Sequence, residues 1–305
     1  MRFLACLLAA LTAAGCGAGR ATGHFSTTPP RQNPAPAAES LGSFIEKTRE
    51  VQARAPAAPA RPEGTTVESF DSELGAALVE ARVNPSPAAA RRVAAAYARH
   101  GIFDMAHQYL TAAVKADPRD AASHEALARL WRDVRMSNIG IGDAYRAVYY
   151  APDWAAAHNT LGTLLQALGK RGAARLEYEK ALALDSSAAY ALNNLCYSDI
   201  LDGRTASAIT RCREALARDP QLRAAQNNLG VAYAAAGRMK DAFEAFNLAV
   251  DPAGALYNLG VARLARREYQ SAVEAFQAAQ ANKAFPLAAA RAQQARAQLG
   301  TGDGQ

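Results

Sequence analysis

The chain has 305 residues, 50% of them hydrophobic, 20% charged and 7% aromatic, a mixture that suits a folded body and excludes a largely disordered one. Its 34 Lys and Arg against 28 Asp and Glu leave a formal net charge of +6, yet no long block of like charge occurs, which argues against a nucleic-acid arm. Past the extreme N-terminus no run approaches about eighteen consecutive apolar residues, so no spanning helix is predicted in the mature chain.

Residues 1–16 read MRFLACLLAALTAAGC. Arg2 precedes an apolar run from Phe3 to Leu11, too short to span a bilayer and of signal-peptide proportions, and small residues then lead to Cys16. The ending Ala13-Ala14-Gly15-Cys16 resembles a bacterial lipobox. The resemblance implies removal of a signal peptide over 1–15 and acylation of Cys16. Because Gly17 rather than Asp comes next, it also implies delivery to the outer membrane, with the body facing the periplasm. Three acyl chains would exceed the two signals that stable anchoring needs. The other reading is ordinary secretion with Cys16 left as a thiol. Residues 16–65 form a Pro/Ala-rich tether, with stretches such as TTPPRQNPAPAAES and ARAPAAPARPEG that bury too little apolar surface to fold. Inside it, Ser40 to Arg54 carries Leu41, Phe44, Ile45 and Val51, either a transient helix or a docking segment.

From residue 66 the pattern turns helical. Phe70, Leu74, Ala77, Leu78 and Ala81 share one face of a capping helix over 66–85, closed by Asn84-Pro85. Residues 86–286 are periodic, with Pro118, Pro152, Ser186 and Pro220 spaced 34 residues apart. Each period holds an apolar-x-x-Leu-small cluster and then Ala-x-x-x-aromatic. Clear copies are His158/Leu161/Gly162 with Ala174/Tyr178, Gln226/Leu229/Gly230 with Ala242/Phe246, and Leu256/Leu259/Gly260 with Ala272/Phe276.

This period and signature resemble the tetratricopeptide repeat (TPR) family. The resemblance implies an all-α fold, a right-handed superhelical solenoid of about six helix-turn-helix repeats over 86–286, at 87–120, 121–154, 155–188, 189–222, 223–252 and 253–286. The helix over 66–85 caps one end, and residues 287–305 form a polar capping helix and tail at the other. Small residues should mark the closest approach of the two helices of a repeat, and Tyr178, Phe246 and Phe276 should fill space between repeats. Gly101, Gly169, Gly203 and Gly237 should end first helices in a left-handed cap. The fifth repeat is four residues short, about one helical turn, so helix phase survives. Gly140 replaces an alanine in the second repeat, whose second helix is expected to start late, near Gly142-Asp143.

Nothing in the spacing supplies a nucleophile, base and acid together, so the chain is read as non-enzymatic and without a cofactor. His124 and His158 lie one repeat apart and are either a metal pair or packed side chains; packing is the commoner role, and no metal site is assigned. Cys196 and Cys212 occupy facing places on the two helices of the fourth repeat and are either a disulfide, as an oxidising compartment allows, or two small buried hydrophobes.

The family's first helices line a concave groove for peptides or partner helices. Carried onto this sequence, the lining comprises Arg91, Arg92, Arg99, Arg129 and Arg132 at a basic end. Asn159, Thr163, Gln166, Tyr190, Asn193, Asn194, Tyr197, Asn227, Asn228, Tyr257 and Asn258 continue it at an uncharged one. Asn194, Asn228 and Asn258 recur at one place; they either pair with the backbone of an extended protein ligand or belong to the repeat pattern and face water. The layout of lipobox, tether and repeats is similar to lipoproteins that assist type IV and tight-adherence pilus or secretin assembly. Other lipoproteins share it: adaptors that recruit periplasmic proteases or cell-wall hydrolases, and polysaccharide-export accessories.

Overall fold

The computed structural model describes residues 71–282 and 286–300. The signal peptide, Cys16, the tether with its 40–54 segment, residues 66–70 and the tail 301–305 lie outside the described residues. Every regular element among the described residues is an α-helix, fourteen in all. They fall into two compact units that divide between Ala126 and Leu127.

The first unit holds α1 (Ser72–Val83), α2 (Pro87–Arg99), α3 (Phe103–Ala116) and the opening turns of α4 (Ala121–Asp133). Asp71 starts α1 by accepting from the Glu73 and Leu74 amides at 2.8 and 3.1 Å, and Ser86 starts α2 by accepting from the Ala89 amide at 3.2 Å, with Pro87 in the first turn. α1 buries Leu74 and Ala77 and packs on α2. Three charged contacts run along that seam: Glu80 with Arg92, Glu73 with Arg99, and Asp71 with His100. The His100 hydrogen bond, with the Leu74 amide next, holds the Asp71 carboxyl below the ordinary carboxylate range.

The second unit continues with α5 (Ser137–Tyr150), α6 (Ala155–Ala167), α7 (Arg171–Leu184), α8 (Ala189–Leu201), α9 (Thr205–Arg218), α10 (Arg223–Ala235), α11 (Met239–Ala249), α12 (Pro252–Ala265), α13 (Tyr269–Asn282) and α14 (Pro286–Gly300). The pairs α6/α7, α8/α9, α10/α11 and α12/α13 are antiparallel hairpins. Each stacks on the next, and the first helices α6, α8, α10 and α12 also touch in sequence. α14 closes the stack on α13, burying Ala288, Ala292 and Ala295 and presenting Gln293, Gln294, Arg296 and Gln298 to solvent.

One contact closes each hairpin. A Cβ on Gly230 would lie 2.4 Å from Phe246 Cδ1, inside the ring's own volume, and Gly162 and Gly260 stand in the same relation to Tyr178 and Phe276. These rings therefore seal their own hairpin rather than the space between repeats. Partner and glycine are 16 residues apart in sequence, the same separation as Cys196 and Cys212, which form a disulfide with Cα atoms 5.3 Å apart. In the fourth repeat a covalent bond thus occupies the place of the glycine and ring. Ala174, Ala208, Ala242 and Ala272, all fully buried, make the second close contact in each hairpin.

Gly101, Gly169, Gly203 and Gly237 end their first helices at φ between 72° and 79°. Arg135 and Arg267 take that place in the second and sixth repeats, at φ 63°, a conformation a side chain disfavours. The second repeat's second helix begins at Ser137, five residues ahead of Gly142. Gly140 is buried inside it, and a Cβ there would meet Trp131 Cβ at 2.7 Å, so the glycine admits a bulkier first helix instead of delaying the second.

Because the disulfide replaces a packed pair, reduction of the wild type should lower the melting temperature, by an amount corresponding to about 3 kcal/mol for a loop of this length. The double variant Cys196→Gly with Cys212→Phe should fold and melt at the same temperature with and without a thiol reductant, as followed by circular dichroism.

Candidate functional site

The first-helix face of the second unit carries most of the sequence-predicted groove residues, and the structure separates them into two groups. Asn194 Nδ2 donates to Asn159 Oδ1 at 2.7 Å, Asn228 Nδ2 to Asn193 Oδ1 at 2.9 Å, and Asn258 Nδ2 to Asn227 Oδ1 at 3.0 Å. The recurring asparagines therefore form a ladder in which each first helix is bonded to the one before it. Along α8, α10 and α12 the rungs are inside the protein: Asn193 is 9% exposed, Asn227 6%, Asn228 8% and Asn258 0%, and Tyr257 beside them is 4% exposed. The four asparagines join repeat to repeat, Tyr257 packs on Phe276 of its own hairpin, and none of the five faces water or lies open to a ligand.

The first rung differs. Asn159 and Asn194 are half-buried, and beyond their one bond the Asn159 Nδ2 amino group and the Asn194 Oδ1 acceptor carry no hydrogen bond among the described residues. Around them stand Thr163, Gln166, Tyr190 and Tyr197, all half-buried. The Gln166 Oε1 atom is shielded from solvent and accepts no hydrogen bond. Burial pushes the Tyr190 and Tyr197 hydroxyls above the ordinary phenol range, so both remain protonated donors across the physiological range. The face of α6 and α8 thus offers unmet donors and acceptors between two aromatic rings.

The arginines placed at a basic end are largely engaged. Arg91 binds Asp120 and also reaches Ser123 Oγ at 3.2 Å, while Arg92 and Arg99 bind the acids of α1. Arg132 grips Asp133 through Nε and Nη2 at 2.9 and 2.7 Å, and Arg129 is exposed on α4.

His124 and His158 serve the junctions between repeats. His124 Nε2 donates to the Pro118 carbonyl at 3.0 Å and His158 Nε2 to the Pro152 carbonyl at 2.9 Å; at the same register Gln226 Nε2 donates to the Pro220 carbonyl at 2.8 Å. Leu192 holds that register in the fourth repeat and has no donor. There the Ser186 carbonyl is met instead by Arg218 Nε at 2.8 Å. His158 Nδ1 lies 2.7 Å from Glu177 Oε2. Among the described residues no three His, Cys, Asp or Glu side chains converge on one point.

One cluster was missed from the sequence. Asp199, fully buried in α8, accepts from Arg175 Nη2 at 2.5 Å, Arg204 Nε at 2.8 Å and Ser207 Oγ at 2.5 Å and forms an ion pair with Arg211, whose Nε lies 2.9 Å from Oδ2, tying α7, α8 and α9 together. The signal was available: Trp131, Leu165 and Tyr233 hold this register in other repeats, so an acid there has to be paired. Tyr178 presents the opposite case. Its hydroxyl is buried and unpaired, and burial drives its pKa up.

Family models for the tetratricopeptide repeat match residues 155–187 and 202–255. No curated protein matches the sequence. Among solved structures, the chain is similar to PilW, a type IV pilus biogenesis factor, at TM-score 0.57 and 23% identity over 65% of this chain and 94% of that one. It is similar to Pseudomonas aeruginosa pilF at TM-score 0.55 and 16% identity, over 70% and 97% of the two chains. A tetratricopeptide repeat protein from Parabacteroides merdae gives TM-score 0.57 at 15% identity, over 84% and 98%. At these identities the likeness is one of fold, an all-α solenoid of helical hairpins.

The ladder predicts that Asn228→Ala, which leaves Asn193 Oδ1 buried without its donor, destabilises by about 1–3 kcal/mol in urea unfolding. Tyr178→Phe, which removes a hydroxyl with no partner at a place where Phe246 and Phe276 stand in sister repeats, should change stability by less than about 0.5 kcal/mol or raise it.

Proposed function

We propose that this chain, a tetratricopeptide-repeat protein by its family matches and its fold, is a scaffold of the bacterial envelope that holds a segment of another protein on the α6/α8 face. One observation carries the reading: half-buried Asn159 and Asn194 have amide groups with no partner among the described residues, Nδ2 of the first and Oδ1 of the second, on a face that also carries Tyr190 and Tyr197. An extended backbone supplies alternate N–H and C=O groups and can satisfy both, while the two tyrosines add rigid contact area at little entropic cost. Solenoids of stacked repeats present extended surfaces of this kind, and seldom a catalytic pocket.

In the same reading the scaffold hangs from the outer membrane through acylated Cys16, with residues 16–65 as its tether, and assists assembly of a pilus or its secretin. The lipobox-like Ala13-Ala14-Gly15-Cys16 supports the anchor. The likeness of fold to PilW, a type IV pilus biogenesis factor by its description, supports the choice of machine. Among the described residues no helix is long and apolar enough to cross a membrane.

A photo-crosslinking residue at position 197 should capture an envelope protein of the pilus or secretin apparatus, identified by mass spectrometry. Capture at the exposed Tyr149 on α5 but not at 197 would remove the α6/α8 face from the reading. Cys16→Ser should move the protein from the membrane pellet to the soluble fraction, and an unchanged pellet would remove the anchor.

A further inference from the structure

A second recess lies between the second helices α7 and α9. Leu182, Leu192, Ser207, Thr210, Arg211 and Glu214 enclose a cleft of about 360 Å³. Its volume is in the range of small-ligand sites; it is an open recess with a mixed lining, in which half-buried Leu182 supplies the apolar side and Leu192 lies fully buried beneath. The cleft coincides with the repeat in which Leu192 stands where His158 and Gln226 stand elsewhere, and Cys212 where an aromatic ring stands.

The rim is built from underneath. Arg211 is fixed through Nε to Asp199 Oδ2 at 2.9 Å, and Asp199 is itself held by Arg175, Arg204 and Ser207. The terminal nitrogens of Arg211 carry no hydrogen bond among the described residues, so a guanidinium of set orientation faces the recess with donors to spare. Ser207 Oγ is committed to Asp199 and Thr210 Oγ1 to the Ala206 carbonyl, so neither competes for it. Glu214, one turn on, is exposed and carries no ion pair among the described residues. It leaves room for a single carboxylate at Arg211 and opposes a run of acids.

We infer that this cleft binds the C-terminal residue of a partner chain, with its apolar side chain against Leu182 and Leu192 and its terminal carboxylate on the free nitrogens of Arg211. A mid-chain leucine would bring no charge, and an acidic segment would meet Glu214; a chain end brings one carboxylate beside one apolar side chain. This site is separate from the α6/α8 face, and either can fail without the other.

N-acetyl-L-leucine reproduces such a chain end, and N-acetyl-L-leucine amide lacks only the carboxylate. Titrated into the full chain and followed by methyl and arginine side-chain NMR, the acid should shift Leu182, Leu192 and Arg211 Nε–H resonances with about millimolar affinity, as its size permits. The amide should bind at least about tenfold more weakly, and Arg211→Gln should bring the acid down to the amide. Since Arg211→Gln also loosens Asp199, Thr210→Phe serves as a second variant, blocking the mouth from the rim and abolishing the shifts with the ion cluster intact. Equal affinity of acid and amide, shifts confined to other helices, or shifts surviving Thr210→Phe would each overturn the assignment.

Discussion

The closest approach of two antiparallel helices governs this molecule. In three hairpins of the second unit a glycine of the first helix meets an aromatic ring 16 residues later, so tightly that one added carbon at Gly230 falls within the Phe246 ring, and in the fourth repeat a disulfide joins the same two places. That contact fixes the distance and axial register of the pair, and the alanines at the next contact hold them. Because the register is identical from repeat to repeat, the hairpins stack alike, and their first helices fall into line. The shortened fifth repeat obeys this constraint. Its missing residues fall after Phe246, where α11 ends at Ala249 and Asp251-Pro252 opens the next helix, so the closing contact itself is untouched.

The fourth repeat keeps the geometry and changes the chemistry. A disulfide replaces glycine and ring, a buried aspartate replaces an apolar side chain, and a leucine replaces the His or Gln that meets the preceding carbonyl. Each exchange shifts a requirement to a neighbour. Arg218 takes over the Ser186 carbonyl, and three arginines with Ser207 gather around Asp199. Pairing of this kind offsets the cost of burying a charge without adding much net stability, so its consistent effect is to fix where α7, α8 and α9 sit. The free end of Arg211 is one product of that arrangement, and the recess beside Leu192 is another.

Most buried polar groups at the junctions find partners, while Gln226 Oε1 and Asn258 Oδ1 have none among the described residues. The asparagines recur because each first helix needs one donor for the helix before it, and the rungs sink deeper from α8 to α12. Among the described residues the ladder reaches the surface only at α6 and α8, and there its unused atoms are polar groups that a ligand can still satisfy.

Helix content, turn glycines and the facing cysteines were all legible in the sequence, because period, helix propensity and turn chemistry are local properties that recur in register. The start of α5 was not, since a glycine reads as a helix breaker until Trp131 is seen to require the space. The groove was legible only as a set of candidates. Periodicity assigns Asn159, Asn194, Asn228 and Asn258 to one face, but whether an amide on that face is open or bonded depends on how near the next helix comes. That distance is set by side chains 16 residues away and by the stacking of whole hairpins. Exposure, pairing and the orientation of Arg211 are therefore properties of the assembled stack, where helices distant in sequence compete for the same space and the same hydrogen bonds.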